Sequence, residues 1–159
     1  MTPKSFLETV VVPNIEDFRN NFSSLRHAHN AISALDALAA HLHYWIINNS
    51  PNAIRSSNDD SYYRNELSKR NKSFRFLRDI AKAQKHIQLA RYDPLIKRAD
   101  QITPRNIGWG EGGFGQGRFG GVEQVIVTDN NDQILYVEEI LDLSLEFLIA
   151  EMNIHGADN

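Results

Sequence analysis

From Phe18 to Ile46 one stripe recurs at alternating spacings of four and three: Phe18, Phe22, Leu25, His29, Ile32, Asp36, Ala39, His43, Ile46. That period belongs to one face of a helix. A second row, Ala31, Leu35, Leu38, Leu42 and Trp45, widens the apolar arc, as expected for a helix packed on more than one neighbour. The pattern predicts a helix from Asn14, a good N-cap followed by Glu16 and Asp17 in the first turn, to about Asn48. Residues 1–13 (with FLETVVVP) read as extended and end at Pro13. A turn-rich connector, residues 48–60 with Pro51 as a stop signal, leads to a second predicted helix from Ser61 to about Tyr92, closed by Pro94. Its apolar arc holds Tyr62, Tyr63, Leu67, Phe74, Leu77, Ile80, Ala81 and Ile87.

A short connector between two long helices predicts an antiparallel hairpin over residues 14–92. Contacting residue numbers should then sum to about 110–115, which brings His27 or His29 near Asp79–His86. Residues 93–107 read as irregular or weakly extended, and Pro104 argues against a central strand there. Val122–Thr128 and Gln133–Val137 are β-branched runs around Asp129-Asn130-Asn131-Asp132, a β-hairpin signal. A last helix is predicted over about Glu138–Asn153. The expected fold is α+β and helix-dominated: a long helical hairpin, a small antiparallel sheet within residues 93–137, and a C-terminal helix, all in one domain.

Composition narrows the functional classes. The chain has 159 residues with 42% hydrophobic content, enough for a core, and no stretch long enough to cross a bilayer, so no membrane partner is expected. The first residues make a poor signal peptide, which leaves the three Asn-x-Ser sequons without weight and a cytoplasmic home as the expectation. With no cysteine, disulfides, thiolate catalysis and cysteine-based zinc sites are excluded. The net charge of −3 hides an asymmetry: Arg64 to Arg105 holds twelve Lys/Arg against four Asp/Glu, and Phe119 onward holds nine acids and no Lys or Arg. Such blocks either bind outside partners or complement each other inside the fold.

Eight of the nine glycines fall between Gly108 and Gly121, interleaved with Trp109, Phe114, Phe119 and one cation, Arg118. A run this dense is a loop. GxGxxG occurs twice in it, but a strand follows where a dinucleotide fold needs a helix. The kinase-like spelling GQGRFGGV lacks the lysine, HRD and DFG that would complete it. Three readings stay open: a flexible or aromatic-pinned β-connection, a small-ligand site lidded by Trp109, Phe114 and Phe119, or a nucleic-acid contact through the aromatics and Arg118.

Three polar residues, His29, Asp36 and His43, interrupt the first helical stripe every seven residues. Neighbours in this series lie ~10 Å apart along the axis, too far to share one metal ion, so neither a metal nor another cofactor is expected. Asp36 needs a partner from another helix, such as an Arg or Tyr, or a subunit interface, because a buried carboxylate is costly alone. On the second helix Arg64, Arg75, Arg78, Lys82 and Lys85 fall within about a quarter of the circumference, with Asp79 and His86 beside them. Cations for phosphates and an imidazole for proton transfer are what an RNA-handling site uses. The alternative is a solvated face, or one docked on the acidic last helix.

The run Phe74–Arg91 (FRFLRDIAKAQKHIQLAR), followed by a glycine-rich loop and a VIV…ILYV hairpin, resembles a group of uncharacterised bacterial and phage-borne proteins with an RDxANAxKH-like helix. The matching residues are Arg78, Asp79, Ala81, Ala83, Lys85 and His86. The paired helices and the Lys85-His86 step also resemble HEPN-type helical domains, several of which are ribonucleases; their Arg-x4–6-His motif is absent. That resemblance implies His86 as general acid/base, Asp79 as its orienting group, and Arg75, Arg78, Lys82 and Lys85 on phosphates.

The leading expectation is a non-enzymatic interaction or oligomerisation module, a homo-oligomer or one of a protein pair, built on the stripe with His29, Asp36 and His43. The alternatives are the RNA-directed protein and the ligand site under the glycine loop.

Overall fold

The computed structural model describes residues 1–49, 59–86, 88–89, 93–106 and 123–158. The glycine loop, with Trp109, Phe114, Arg118 and Phe119, lies outside the described residues, and so does Ile87.

Residues 3–13 are helical, not extended. Helix α1 (Pro3–Phe6) runs through a π-helical turn (Leu7–Val11) into α2 (Val12–Asn20). Thr2 Oγ1 accepts from the Ser5 amide at 3.1 Å and Pro3 stands in the first turn, a capped start that favours helix over the β-branched run behind it. Pro13 has no N–H to offer one turn back, and the helix widens to π spacing just before it. Asn14 is no cap; inside the helix its Nδ2 donates to the Val10 carbonyl at 2.7 Å.

The predicted first long helix divides at residues 21–24. Asn21 leaves the helical region, and the Phe22 carbonyl accepts from the Val125 amide at 2.8 Å, so the break is where the sheet docks. Helix α3 (Leu25–Asn49) then crosses the centre of the molecule. Ala31, Ile32, Leu35, Leu38, Leu42 and Ile46 are all buried on it, in one core with Leu67, Phe74, Leu77, Ile80 and Leu148.

The second helix divides as well. Helix α4 (Asp60–Arg70) stops at Asn71, whose extended backbone turns the chain, and α5 (Lys72–His86) starts again with the Phe74 amide bound to Asn71 Oδ1 at 2.8 Å. Tyr62, placed by the pattern on the apolar arc, is 54% exposed.

α3 and α5 form the expected antiparallel pair. The Ser33 hydroxyl donates to Gln84 Oε1 at 3.2 Å, and the Gln84 amide contacts His29 Nδ1.

Strand β1 (Ile102–Asn106) pairs antiparallel with β2 (Glu123–Thr128), and β2 with β3 (Ile134–Tyr136). Pro104 is accommodated because β1 is an edge strand. The β2–β3 turn is held by Asp129 Oδ1, which accepts from the amides of Asn131 and Gln133 at 2.8 Å each. Helix α6 (Val137–Ile154) follows β3 directly and packs on α3 and α5. The fold is α+β and helix-dominated. Among the described residues no helix is long and apolar enough to cross a membrane.

Candidate functional site: a basic groove between α4 and α5

The elbow at Asn71 makes the site. A continuous helix would spread its charges along one rod; the turn folds α4 back along α5 and leaves a groove with a cavity volume of about 600 Å³ between them. The α5 wall carries Lys72, Arg75, Arg78, Asp79 and Lys82, and the α4 wall carries Tyr62, Asn65, Glu66, Ser68 and Lys69. Five cations thus face two carboxylates.

The floor is buried and held by hydrogen bonds, and the rim is more open to solvent. Arg78 is 3% exposed, and its Nη2 donates to the Ser61 carbonyl at 3.2 Å, tying α5 to the start of α4. Asp79 is equally buried, and its Oδ2 accepts from the Leu95 amide at 2.8 Å. One turn earlier, Arg75 Nη2 donates to the Asp93 carbonyl at 2.7 Å. Arg75 and Asp79 together clasp the backbone of residues 93–95. On the rim, Lys69 reaches Glu66 at 2.6 Å, and the Lys72 ammonium lies 5.7 Å from the centre of the Phe76 ring.

Behind the groove sits a network of charges. Arg64 Nη1 bonds Asp36 Oδ2 at 2.7 Å and its Nη2 bonds Asp60 at 2.6 Å. The partner that Asp36 needs is therefore an arginine of the same chain. Lys82 feels this network: burial first, then the Arg78 guanidinium, draws its ammonium below the usual lysine range, against the pull of Asp79 and Asp36.

The other predicted residues separate. Lys85 and His86 are exposed at the end of α5 and do not line the groove. His86 and Asp79 thus face different surroundings, and the acid/base pair implied by the HEPN resemblance has no common substrate position here. His29 is half-buried against Gln84, where burial lowers its pKa. His43 is fully buried, with its ring 5.6 Å from that of Tyr63. Of the stripe carrying His29, Asp36 and His43, Asp36 and His43 are thus buried and His29 is half-buried. Among the described residues no group of His, Asp or Glu is arranged to hold a metal ion.

Sequence reasoning missed Tyr62, Asn65, Glu66 and Lys69 as groove residues, since on an unbroken helix they do not face Arg75 and Lys82, and it left Lys72, three residues before Arg75, out of the basic stripe. The signal was Asn71, a good N-cap inside an otherwise helical run. No family model, no curated protein and no solved structure matches this chain.

Proposed function

We propose that this protein binds nucleic acid in the groove between α4 and α5. The observation that carries the reading is the pairing of an exposed ring, Tyr62, with Lys69, Lys72, Arg75, Arg78 and Lys82 around one cavity. Cations neutralise phosphates, and a ring open to solvent gives a base a face to stack on. Binding is favoured over cleavage because Asp79 is engaged by Leu95 and His86 stands outside the groove.

The test is fluorescence anisotropy with a labelled eight-nucleotide RNA at 50 and 200 mM salt. Wild type should bind and weaken as salt rises. Lys72→Glu/Lys82→Glu should lose binding with the circular dichroism spectrum intact, and Lys85→Glu, outside the groove, should keep most of it. Retained binding in the double variant sinks the proposal.

A second reading, a protein-interaction module, draws on α6. Leu143, Ala150 and Ile154, at spacings of seven and four, leave an aliphatic row exposed beside Glu139 and Glu146. The flanking acids would repel a second copy of the same face, so this row fits a partner with a basic rim. Light scattering that finds a monomer keeps this reading; a dimer abolished by Leu143→Glu replaces it with self-association.

A further inference from the structure

The two walls of the groove differ in chemistry, and the difference sets what shape of ligand fits. Four of the α5 cations, Lys72, Arg75, Arg78 and Lys82, lie on one wall at steps of three, three and four residues. Ten residues of helix span about 15 Å. One phosphate cannot use a ladder of that length. Successive phosphates of one strand can, because each nucleotide advances by about 3.4 Å when stacked and by more when stretched. The ladder therefore matches about three to four nucleotides.

The opposite wall carries one cation, Lys69, already paired with Glu66. Its other side chains are a ring and neutral or acidic hydrogen-bonding groups, with Tyr62 and Asn65 both exposed. That wall offers stacking and edge contacts but little for a phosphate. A cavity of about 600 Å³ also lacks room for a duplex, which presents two charged strands on opposite sides. Arg78 fixes the spacing of the walls from below through Ser61.

Resting on the nucleic-acid reading above, we infer that the ligand is a single strand of three to four nucleotides lying along the groove, its phosphates on the α5 wall and a base stacked on Tyr62. Lys72, Arg75 and Lys82 make the phosphate contacts, and Arg78 holds the floor. The groove then takes unpaired nucleic acid in preference to duplex and is tolerant of sequence.

The experiment is an affinity series on the full chain with oligouridylates of two to twelve nucleotides, and with a twelve-base-pair duplex. Affinity per overlapping register should rise to four nucleotides and then stay level. The duplex should bind at least tenfold more weakly. Three single-strand phosphate contacts give a slope of log affinity on log salt near −2, about fifteenfold between 50 and 200 mM salt. Two variants separate the walls. Lys82→Gln should shift that slope by about 0.7 toward zero, whereas Tyr62→Ala should weaken binding about tenfold at every salt concentration and leave the slope alone. Affinity per register that keeps climbing beyond six nucleotides, equal binding of the duplex, or a neutral Tyr62→Ala overturns the inference while leaving groove binding in place. If no oligonucleotide of any length binds, the nucleic-acid reading itself fails.

Discussion

Arg64 joins Asp36 to Asp60, at 2.7 and 2.6 Å, and the two carboxylates do not depend on it equally. The Asp36 side chain is 7% exposed and its second oxygen has no hydrogen-bond partner, whereas Asp60 is more open to water. Asp36→Ala leaves Arg64 with Asp60 and partial solvation, and should cost about 1 kcal/mol. Arg64→Ala strands a buried carboxylate and should cost about 3 kcal/mol. Urea unfolding of both single variants and Asp36→Leu/Arg64→Leu checks the order. The double apolar variant should recover most of the loss, because a buried pair replaced as a unit sheds both desolvation costs. Equal costs for the two single variants would show that Lys82 already neutralises Asp36.

His29 gives a pH dependence with a defined sign. Its Nδ1 faces the Gln84 amide, while Gln84 Oε1 takes the Ser33 hydroxyl, so Nδ1 is the acceptor and the neutral ring fits the site. Burial holds its folded-state pKa below the ordinary 6.5, so as pH falls the unfolded chain takes up the proton first. Stability should be full above pH 6.5, decline as pH falls toward the lower folded value, and level off below it. His41, lowered by burial and then by the amino-terminal charge, adds the same sign. Thermal melts between pH 4.5 and 7.5 should show this slope in wild type and a flatter one in His29→Gln. Identical slopes in the two proteins reject the assignment.

Asn71 is the cheapest place to dismantle the groove. It supplies an α5 cap and the extended backbone between the helices. Asn71→Ala removes the cap, at about 1 kcal/mol, and favours one continuous helix. The expected outcome is a small loss of stability with a disproportionate loss of oligonucleotide affinity; Asn71→Ser, which keeps a capping oxygen, should restore both.

That residue also marks where the sequence was legible. Both long amphipathic stretches, the β2–β3 hairpin and α6 could be read, because their apolar periods are set by burial on a single face. The pairing of α3 with α5 through His29 and Gln84 fell within the predicted register. The breaks at Asn21 and Asn71 were not read, because each interrupts the chain without interrupting the apolar period. Asn21 yields to a strand that docks on the next residue's carbonyl, an event set more than 100 residues away in the chain. The start of the chain went wrong because Thr2-Pro3 is a helix opening that outweighs the three valines after it. The basic stripe was legible as charge but not as shape. Its floor, Arg78 and Asp79, reads in sequence like its rim, Lys72 and Lys82; only the fold buries the first pair and leaves Lys72 exposed and Lys82 half-buried.

At Lys82 a single variant tests stability and binding separately. Its folded-state pKa is held below the ordinary 10.5 by burial and by Arg78, so at neutral pH the folded chain carries a proton that the site disfavours. The unfolded chain binds that proton more readily, and stability therefore rises with pH between the folded value and 10.5. Below the folded value the penalty is present in full. Lys82→Met removes it and keeps the apolar stem, so the variant should melt higher than wild type at pH 7, by a margin that narrows as pH approaches 10.5. Tyr63 works in the opposite direction: burial, then Glu151, raises its pKa above the usual 10.0, so its contribution is lost as pH rises. The comparison is therefore the difference between Lys82→Met and wild type at each pH, in which Tyr63 cancels. The same variant removes a groove cation and should bind oligouridylate several-fold more weakly. A variant that is both less stable and unimpaired in binding would make Lys82 a structural partner of Asp36 and Asp79.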